Sequence, residues 1–436
     1  MRKSFWIETL GCAKNEVDSD KLEFRATSSG MRSARSLRSA DLVVINTCAF
    51  IEAAREESIS VVLDAIAQKK PDASIVVTGC MAERYKDELS QLLPEVDIVA
   101  GFGEEFLVGE SVSQVAIKIR KRTSVGKKVP TMDLDASFDL LNLPIGKSNR
   151  PFAYLKVAEG CDRKCGFCAI PSFRGLQRSR DFEDLLQEAE ILGTKEIIMI
   201  AQDLASYGKD RYGKKRLVEL LKELNLRVPW VRLLYIYPTE LNDELLDAIG
   251  TSRVNYFDLS LQHVSPPLLR RMRRVGSAEK YLSKIETIRS RYPGAVFRSN
   301  FIVGYPGETE TDHDMLIEFL RAARLDWVGF FPFSSEDGTY AKTLDEHLAP
   351  GLVGDRLAEA NEVAEPIIRL QRATHIGDRL EVIVQRPGQA RSYMESPDID
   401  GIVKVPTHLT PGALYTVDVE GCDGIDLVAS YGKRAI

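Results

Sequence analysis

The sequence predicts an α/β protein in three parts: an amino-terminal open parallel α/β sheet domain, a central partial or complete βα barrel, and a small carboxyl-terminal β-barrel. Three observations carry this. Short β-branched runs alternate with helical stretches over the first hundred residues, a second and longer alternation begins near residue 152, and after residue 374 helices give way to short strands with Gly/Pro turns. A chain of 436 residues has room for two to four domains.

The first series has strands at 5–10, 42–46 and 74–78, each rich in β-branched or aromatic residues. Helical patterns follow at 16–28, 51–68 and 81–93, the last closed by Pro94, and a fourth strand fits 96–100. The basic stretch 118–128 opens a loop-like linker, so the expected divisions are 1–117, a linker 118–150, 151–372 and 373–436. The second series has strands at 152–157, 195–201, 230–236, 256–261, 296–303 and 326–331, with helices such as 181–192, 240–249, 279–291 and 310–323 between them. Six βα units suit a barrel with its active-site loops at the carboxyl ends of the strands. The last part has strands at 380–384, 402–405, 414–419 and 425–429, as a barrel of about 60 residues would.

Composition narrows the function classes. The chain is 44% hydrophobic and 28% charged, which excludes a disordered or fibrous protein. With 58 Lys and Arg against 64 Asp and Glu, the net charge of −6 does not mark a general nucleic-acid binder. The amino terminus is too polar for a signal peptide, and no run reaches the roughly 18 apolar residues of a membrane helix. A cytosolic protein with no membrane attachment is expected, and there seven cysteines point to metal or redox chemistry rather than disulfides.

Six of the seven fall into two groups. Cys161, Cys165 and Cys168 lie within eight residues, on a loop after the first barrel strand. A zinc finger would need a fourth ligand nearby, whereas three thiolates suit a 4Fe-4S cluster with one open iron. Cys12, Cys48 and Cys80 lie 36 and 32 residues apart, each one or two positions past a strand. The carboxyl ends of parallel strands share one edge, so these three can also converge, although ordinary post-strand cysteines would have the same spacing. Cys422 stands alone and reads as an inert thiol.

The Cys161-x3-Cys165-x2-Cys168 loop at a barrel mouth resembles the radical S-adenosylmethionine (SAM) superfamily. Together with Leu-Gly-Cys12-Ala-Lys-Asn, Asn-Thr-Cys48-Ala-Phe, Gly-Cys80 and the carboxyl-terminal barrel, which is similar to a TRAM domain, the whole chain resembles the methylthiotransferase family. Ala13 stands where that family often has proline, and Ala49 where glycine is frequent. The resemblance implies two 4Fe-4S clusters and SAM: Cys12, Cys48 and Cys80 would hold the first cluster and a sulfur to be methylated. Cys161, Cys165 and Cys168 would hold the SAM-binding cluster that yields a hydrogen-abstracting radical. It further implies SAM contacts from Phe167, Gln202, Asp203, Asn300 and Gly304, although Gln202 and Asp203 also suit a structural turn and Pro306-Gly307-Glu308-Thr309 a helix start. No catalytic residue is assigned beyond the cluster ligands.

Within the family, residues 170–175, 201–208 and 334–339 resemble the RimO-like branch, which modifies the β-carbon of an aspartate in a small-subunit ribosomal protein (protein twelve of the small subunit). The alternative is the MiaB-like branch, which methylthiolates tRNA adenosine. Residues 373–436 carry six basic and nine acidic side chains, a net of −3, which repels phosphates and suits a basic ribosomal protein. The resemblance implies the ribosomal protein or ribosome as partner, an electron donor such as flavodoxin or ferredoxin, and a sulfur donor of unassigned identity. A non-catalytic iron-sulfur RNA-binding module is the alternative from another class; the six βα units speak against it. Arg270, Arg271, Arg273 and Arg274 read as a solvated face, and His263, just after a barrel strand, as an active-site neighbour.

Overall fold

The computed structural model describes residues 3–104 and 138–432. Most of the expected linker, 118–137, and the terminal Lys433 and Arg434 lie outside the described residues. The chain divides into two compact units. One comprises Met1–Gly146 with Glu159–Cys161 and Ala169–Leu176; the other comprises Lys147–Ala158, Asp162–Cys168 and Gln177–Ile436.

The first unit is a doubly wound sheet. Its elements are β1 (Ser4–Thr9), α1 (Ala13–Ser28), β2 (Arg32–Ser33), β3 (Leu42–Thr47), α2 (Glu52–Gln68), β4 (Ser74–Gly79), α3 (Cys80–Leu92) and β5 (Ile98–Val99). All pairings are parallel, in the order β2-β1-β3-β4-β5. The unbroken apolar runs of β3 and β4 reflect burial on both faces. Val43, Ile45, Ile75 and Val77 pack on one face with Val62 and Ala65 of α2 and Met81 and Leu89 of α3. Leu42, Val44 and Val76 pack on the other with Leu22 and Ala26 of α1. Chain order reverses between β1 and β3, and in such sheets the crevice beyond the carboxyl ends at the reversal is where ligands bind. The expected strands and helices are all present, with ends shifted by up to three residues, the largest at α1, which starts at Ala13 rather than residue 16; the edge strand β2 was not anticipated, because two exposed residues carry no periodicity.

In the second unit, β6 (Phe152–Lys156), β7 (Glu196–Ile200) and β8 (Trp230–Leu233) form one parallel sheet, and β9 (Tyr256–Gln262), β10 (Val296–Val303) and β11 (Trp327–Pro332) another. A parallel bridge between Ile236 and Leu259 joins them, while β6 and β11 do not pair, so the barrel is partial. Flanking helices include α4 (Phe182–Leu192), α5 (Leu217–Asn225), α6 (Asp243–Gly250), α7 (Ala278–Arg291) and α8 (Glu310–Ala323). Asp181, Asn242, Ser277 and Thr309 cap four of these through side-chain acceptors, which is why those starts were readable. A long helix, α9 (Pro350–Ala373), leads into a closed barrel of β12 (Arg379–Arg386), β13 (Gln389–Arg391), β14 (Val403–Lys404), β15 (Leu414–Asp423) and β16 (Asp426–Ser430), in the order β12-β13-β14-β16-β15.

Buried ion pairs fasten this small barrel to the six βα strands. Glu196 receives Arg232 at 2.8 Å and Arg391 at 2.5 Å, and Arg298 lies 3.2 Å from Asp258 and 3.3 Å from Asp400. Arg372 of α9 pairs with Glu395. Such groups are tolerated only with their partners in place, so they fix the relative register of the two β structures within this unit.

Candidate cluster sites

The three dispersed cysteines stand at the carboxyl edge of the first sheet, around the reversal between β1 and β3. Cys12 is the N-cap of α1, Cys48 follows β3 directly, and Cys80 is the first residue of α3. Gly11 and Gly79, which precede Cys12 and Cys80, both have φ of +91°. Only glycine adopts this at little cost, and it turns each strand abruptly into its helix. Gly11 also admits a close neighbour: a Cβ there would lie 2.7 Å from Cys48 Cβ and 2.8 Å from its Sγ, so the Cys12 and Cys48 loops touch. Ser58 of α2 clamps Cys48 by accepting from its N–H and donating to its carbonyl, both at 3.0 Å.

Two residues not assigned from sequence organise this edge. The Asn15 amide donates to the Leu10 and Thr47 carbonyls, both at 2.9 Å, stapling the chain ahead of Cys12 to that ahead of Cys48. Its Oδ1 accepts from Arg174 at 2.7 Å and lies 3.6 Å from Cys80 Sγ. Arg174, at the end of the single turn Ile170–Phe173, is buried; it donates to Glu159 at 2.7 Å and to Cys80 Sγ at 3.0 Å, and lies 3.6 Å from Asp18. Both residues fall inside motifs quoted above, but a helical periodicity cannot show that Asn15 faces the sheet edge, nor that residue 174 returns to residue 80.

The thiols differ electrostatically. The protein mass around Cys12 pushes its thiol up, but Lys14, Arg174 and the amides of Asn15 and Lys14 bring it below the ordinary value. Burial, with Cys80 beside it, raises Cys48 to about 12, and burial raises Cys80. A bound metal deprotonates coordinating thiols outright, so a metal held here would supply the charge that burial withholds from these two. An iron-sulfur cluster spreads its thiolates over separate irons. Three thiols on adjoining loops, with a buried cation beside one of them, fit such a cluster.

The structure places Cys161 in the first unit, its N–H on the Gly175 carbonyl at 3.0 Å, and Cys165 and Cys168 in the second. Gly166 is pinned there by the Met272 carbonyl and the Ala341 N–H, both at 2.8 Å. Arg274 is buried, with Nη1 3.7 Å from Cys165 Sγ and its guanidinium carbon 4.0 Å from the centre of the Tyr237 ring. The expectation of a wholly solvated arginine run is corrected here: Arg270 is exposed and Arg271 pairs with Glu346, but Arg274 turns inward. His263 is fully buried: its Nδ1 accepts from the Ser265 N–H at 3.1 Å, and burial holds it far below the ordinary histidine range.

The residues expected to contact SAM lie at the carboxyl ends of the barrel strands. Asp203, just after β7, is buried and held by Arg163 at 2.7 Å and Ser206 at 2.8 Å, and Gln202 precedes it. Asn300 on β10 has a buried Oδ1 with no hydrogen-bond partner among the described residues. Gly304 has φ of +84°, donates to Glu308 at 2.6 Å and backs onto Val353, so its place is set by the turn. Phe167 is half-buried between Gly166 and Cys168. An unpartnered acceptor at the barrel mouth fits a polar cofactor.

Comparison with known proteins agrees with this reading. Residues 4–101 match the uncharacterized protein family UPF0004, 155–320 the radical SAM superfamily and 376–431 the TRAM domain. Membership of the radical SAM superfamily implies a 4Fe-4S cluster and SAM. In fold, the chain is similar to the radical SAM methyltransferase TsrM of Kitasatospora setae, solved with tryptophan and a SAM analogue, with a TM-score of 0.52 at 14% identity over 84% of this chain and 89% of that one. Ribosomal protein uS12 methylthiotransferases RimO are 38% identical in Cutibacterium acnes over 97% of both chains, and 37% in Myxococcus xanthus over 99% of this chain and 92% of that one. The RimO of Acetivibrio thermocellus is 35% identical over 98% of both. With such identity over nearly its full length, the chain belongs to the RimO family of radical SAM methylthiotransferases.

Proposed function

We propose that this enzyme replaces a hydrogen on the β-carbon of an aspartate of ribosomal protein uS12 with a methylthio group, in the cytoplasm, using two 4Fe-4S clusters. The observation that carries the two-cluster reading is the placing of Cys12, Cys48 and Cys80 on adjoining loops at one sheet edge, apart in sequence from the Cys161, Cys165 and Cys168 loop. When bound, the clusters and SAM would supply the electron, the radical and the methylated sulfur. Asn15 and Ser58 hold the first three loops in register, and Arg163 holds Asp203 beneath the second loop. Phe167, Gln202, Asp203, Asn300 and Gly304 would line the SAM site.

The names of the relatives favour uS12 over tRNA adenosine, and so does the surface of the carboxyl-terminal barrel. Arg391, Glu395 and the Asp400 carboxylate are consumed by buried pairs. The remaining charges of the sequence from 373 onward are Arg379, Arg386, Lys404, Lys433 and Arg434 against Asp378, Glu381, Asp398, Asp418, Glu420, Asp423 and Asp426, a net of −2. A surface of that sign attracts a basic protein and repels phosphates. Anaerobically reconstituted enzyme, given SAM, sulfide and a reductant such as reduced flavodoxin or ferredoxin, is expected to add the mass of a methylthio group to uS12 and none to tRNA nucleosides. Modification of tRNA alone would overturn the assignment.

A further inference from the structure

Arg174 spends its fork in an unusual way. One edge, Nη1, is met by Glu159 at 2.7 Å and Asp18 at 3.6 Å, two carboxylates that already compensate its charge. The other edge, Nη2, is aimed at Asn15 Oδ1 at 2.7 Å and Cys80 Sγ at 3.0 Å, while the Phe102 ring, 4.4 Å away, covers the guanidinium. The Arg174 side chain is 1% exposed. A neutral thiol is a poor acceptor for so costly a donor, whereas a metal-bound thiolate makes a charge-assisted hydrogen bond. The same residue reaches the other cysteine group: Glu159 stands two residues before Cys161, and the carbonyl of Gly175, next to Arg174, accepts from the Cys161 N–H.

We propose that Arg174 is a positioning residue shared by the two cysteine groups, donating to the ligated Cys80 sulfur so that the first cluster is easier to reduce, and holding the approach to Cys161 through Glu159 and Gly175. This rests on the reading of Cys12, Cys48 and Cys80 as cluster ligands. Reduction adds negative charge to a cluster, so a buried cation and a hydrogen bond to its sulfur raise the potential. Arginine is suited to this because its charge is permanent and its planar fork serves Glu159 and Cys80 together.

The test uses the full chain carrying C161A, C165A and C168A, so that only the first cluster can form, and reads its midpoint potential by electron paramagnetic resonance alongside iron and sulfide content. Arg174→Gln is made in a background carrying Asp18→Asn and Glu159→Gln, so that neither buried carboxylate is left uncompensated, and is read against that background as its parent. The reduced-to-oxidised ratio at fixed ambient potential is expected to fall about tenfold, equivalent to about 59 mV for one electron. A ratio within about twofold of the parent's, at equal iron content, overturns the proposal. Where that variant does not fold, Arg174→Lys keeps the charge but offers one point in place of the fork. It is expected to lower the ratio as well, and an unchanged ratio again overturns the proposal. A parent chain that binds no iron would instead refute the cluster assignment itself.

Discussion

Replacing Gly79 by alanine tests whether the turn into α3 is built for Cys80. Gly79 has φ of +91° and ψ of −162°, a region that is essentially glycine-only and costs another residue about 1–3 kcal/mol. The added Cβ would also lie 2.3 Å from Asn46 Oδ1, 2.5 Å from the Thr47 carbonyl oxygen and 2.7 Å from the Thr47 nitrogen. Two of these atoms are backbone and cannot swing away, so overpacking adds about 1–3 kcal/mol. The sum is about 4 kcal/mol. Gly30 supplies the control: its φ is +86°, but nothing lies within 4 Å of a Cβ built there, leaving only a backbone cost of about 1–2 kcal/mol. Thermal unfolding of the metal-free chains should therefore show a drop for G79A of roughly 8–16 °C, well beyond that for G30A. Cys80 follows Gly79 directly, so the same substitution should remove iron from the first site and leave the second loaded. Equal melting of G79A and G30A, with full iron in both, would refute the reasoning.

Three further outcomes follow from the same geometry. Asn15→Ala removes the side-chain donor to the buried Thr47 carbonyl and leaves Arg174 Nη2 with Cys80 Sγ alone, at about 1–3 kcal/mol for each group left short of a partner, and should release iron from the first site while Thr27→Ala, exposed near the far end of the same helix, should not; chemical denaturation and iron analysis read both. Arg274→Met should slow reductive cleavage of SAM by about 10–100-fold, as loss of an outer partner of a ligand does, with first-site iron unchanged; an unchanged rate would separate Arg274 from the chemistry. Asp41 is a stability device at the opposite edge of the sheet. Burial opposes its ionisation, but Lys70 and Ser4 prevail and lower its carboxyl to about 2. Its folded value lies below the unfolded one near 3.9, so the stabilisation is present above about pH 4 and is lost as pH falls toward 2. With the side chain 35% exposed, screening leaves about 1 kcal/mol at neutral pH; the gap between wild type and D41N should close between pH 4 and 2, and a gap constant with pH would refute the assignment.

Most of this fold was legible because its signals are local. The runs of β3 and β4 and the caps at Asp181, Asn242, Ser277 and Thr309 need no tertiary knowledge to read. The strand β13 escaped notice because three residues ending in a buried arginine resemble a turn. Glu196, Arg232 and Arg391 could not be paired in advance, since each looks like a surface charge until its partner, up to 195 residues away, is known. The cysteines stood out by rarity and spacing. Asn15, Arg174 and Arg274 did not, because polar residues beside a site differ from solvated ones only in which way they point, and that is decided by packing far along the chain.

The central claim is that two cysteine groups hold two clusters with separate duties. The most direct measurement takes the full chain with C12A, C48A and C80A, reconstitutes it anaerobically, and follows both 5′-deoxyadenosine release and methylthiolation of uS12. The substituted chain should fold, retain one cluster's worth of iron and sulfide, and still cleave SAM reductively, yet leave uS12 without the methylthio group. Loss of SAM cleavage in a folded chain, or methylthiolation that persists without those three thiols, would contradict the division.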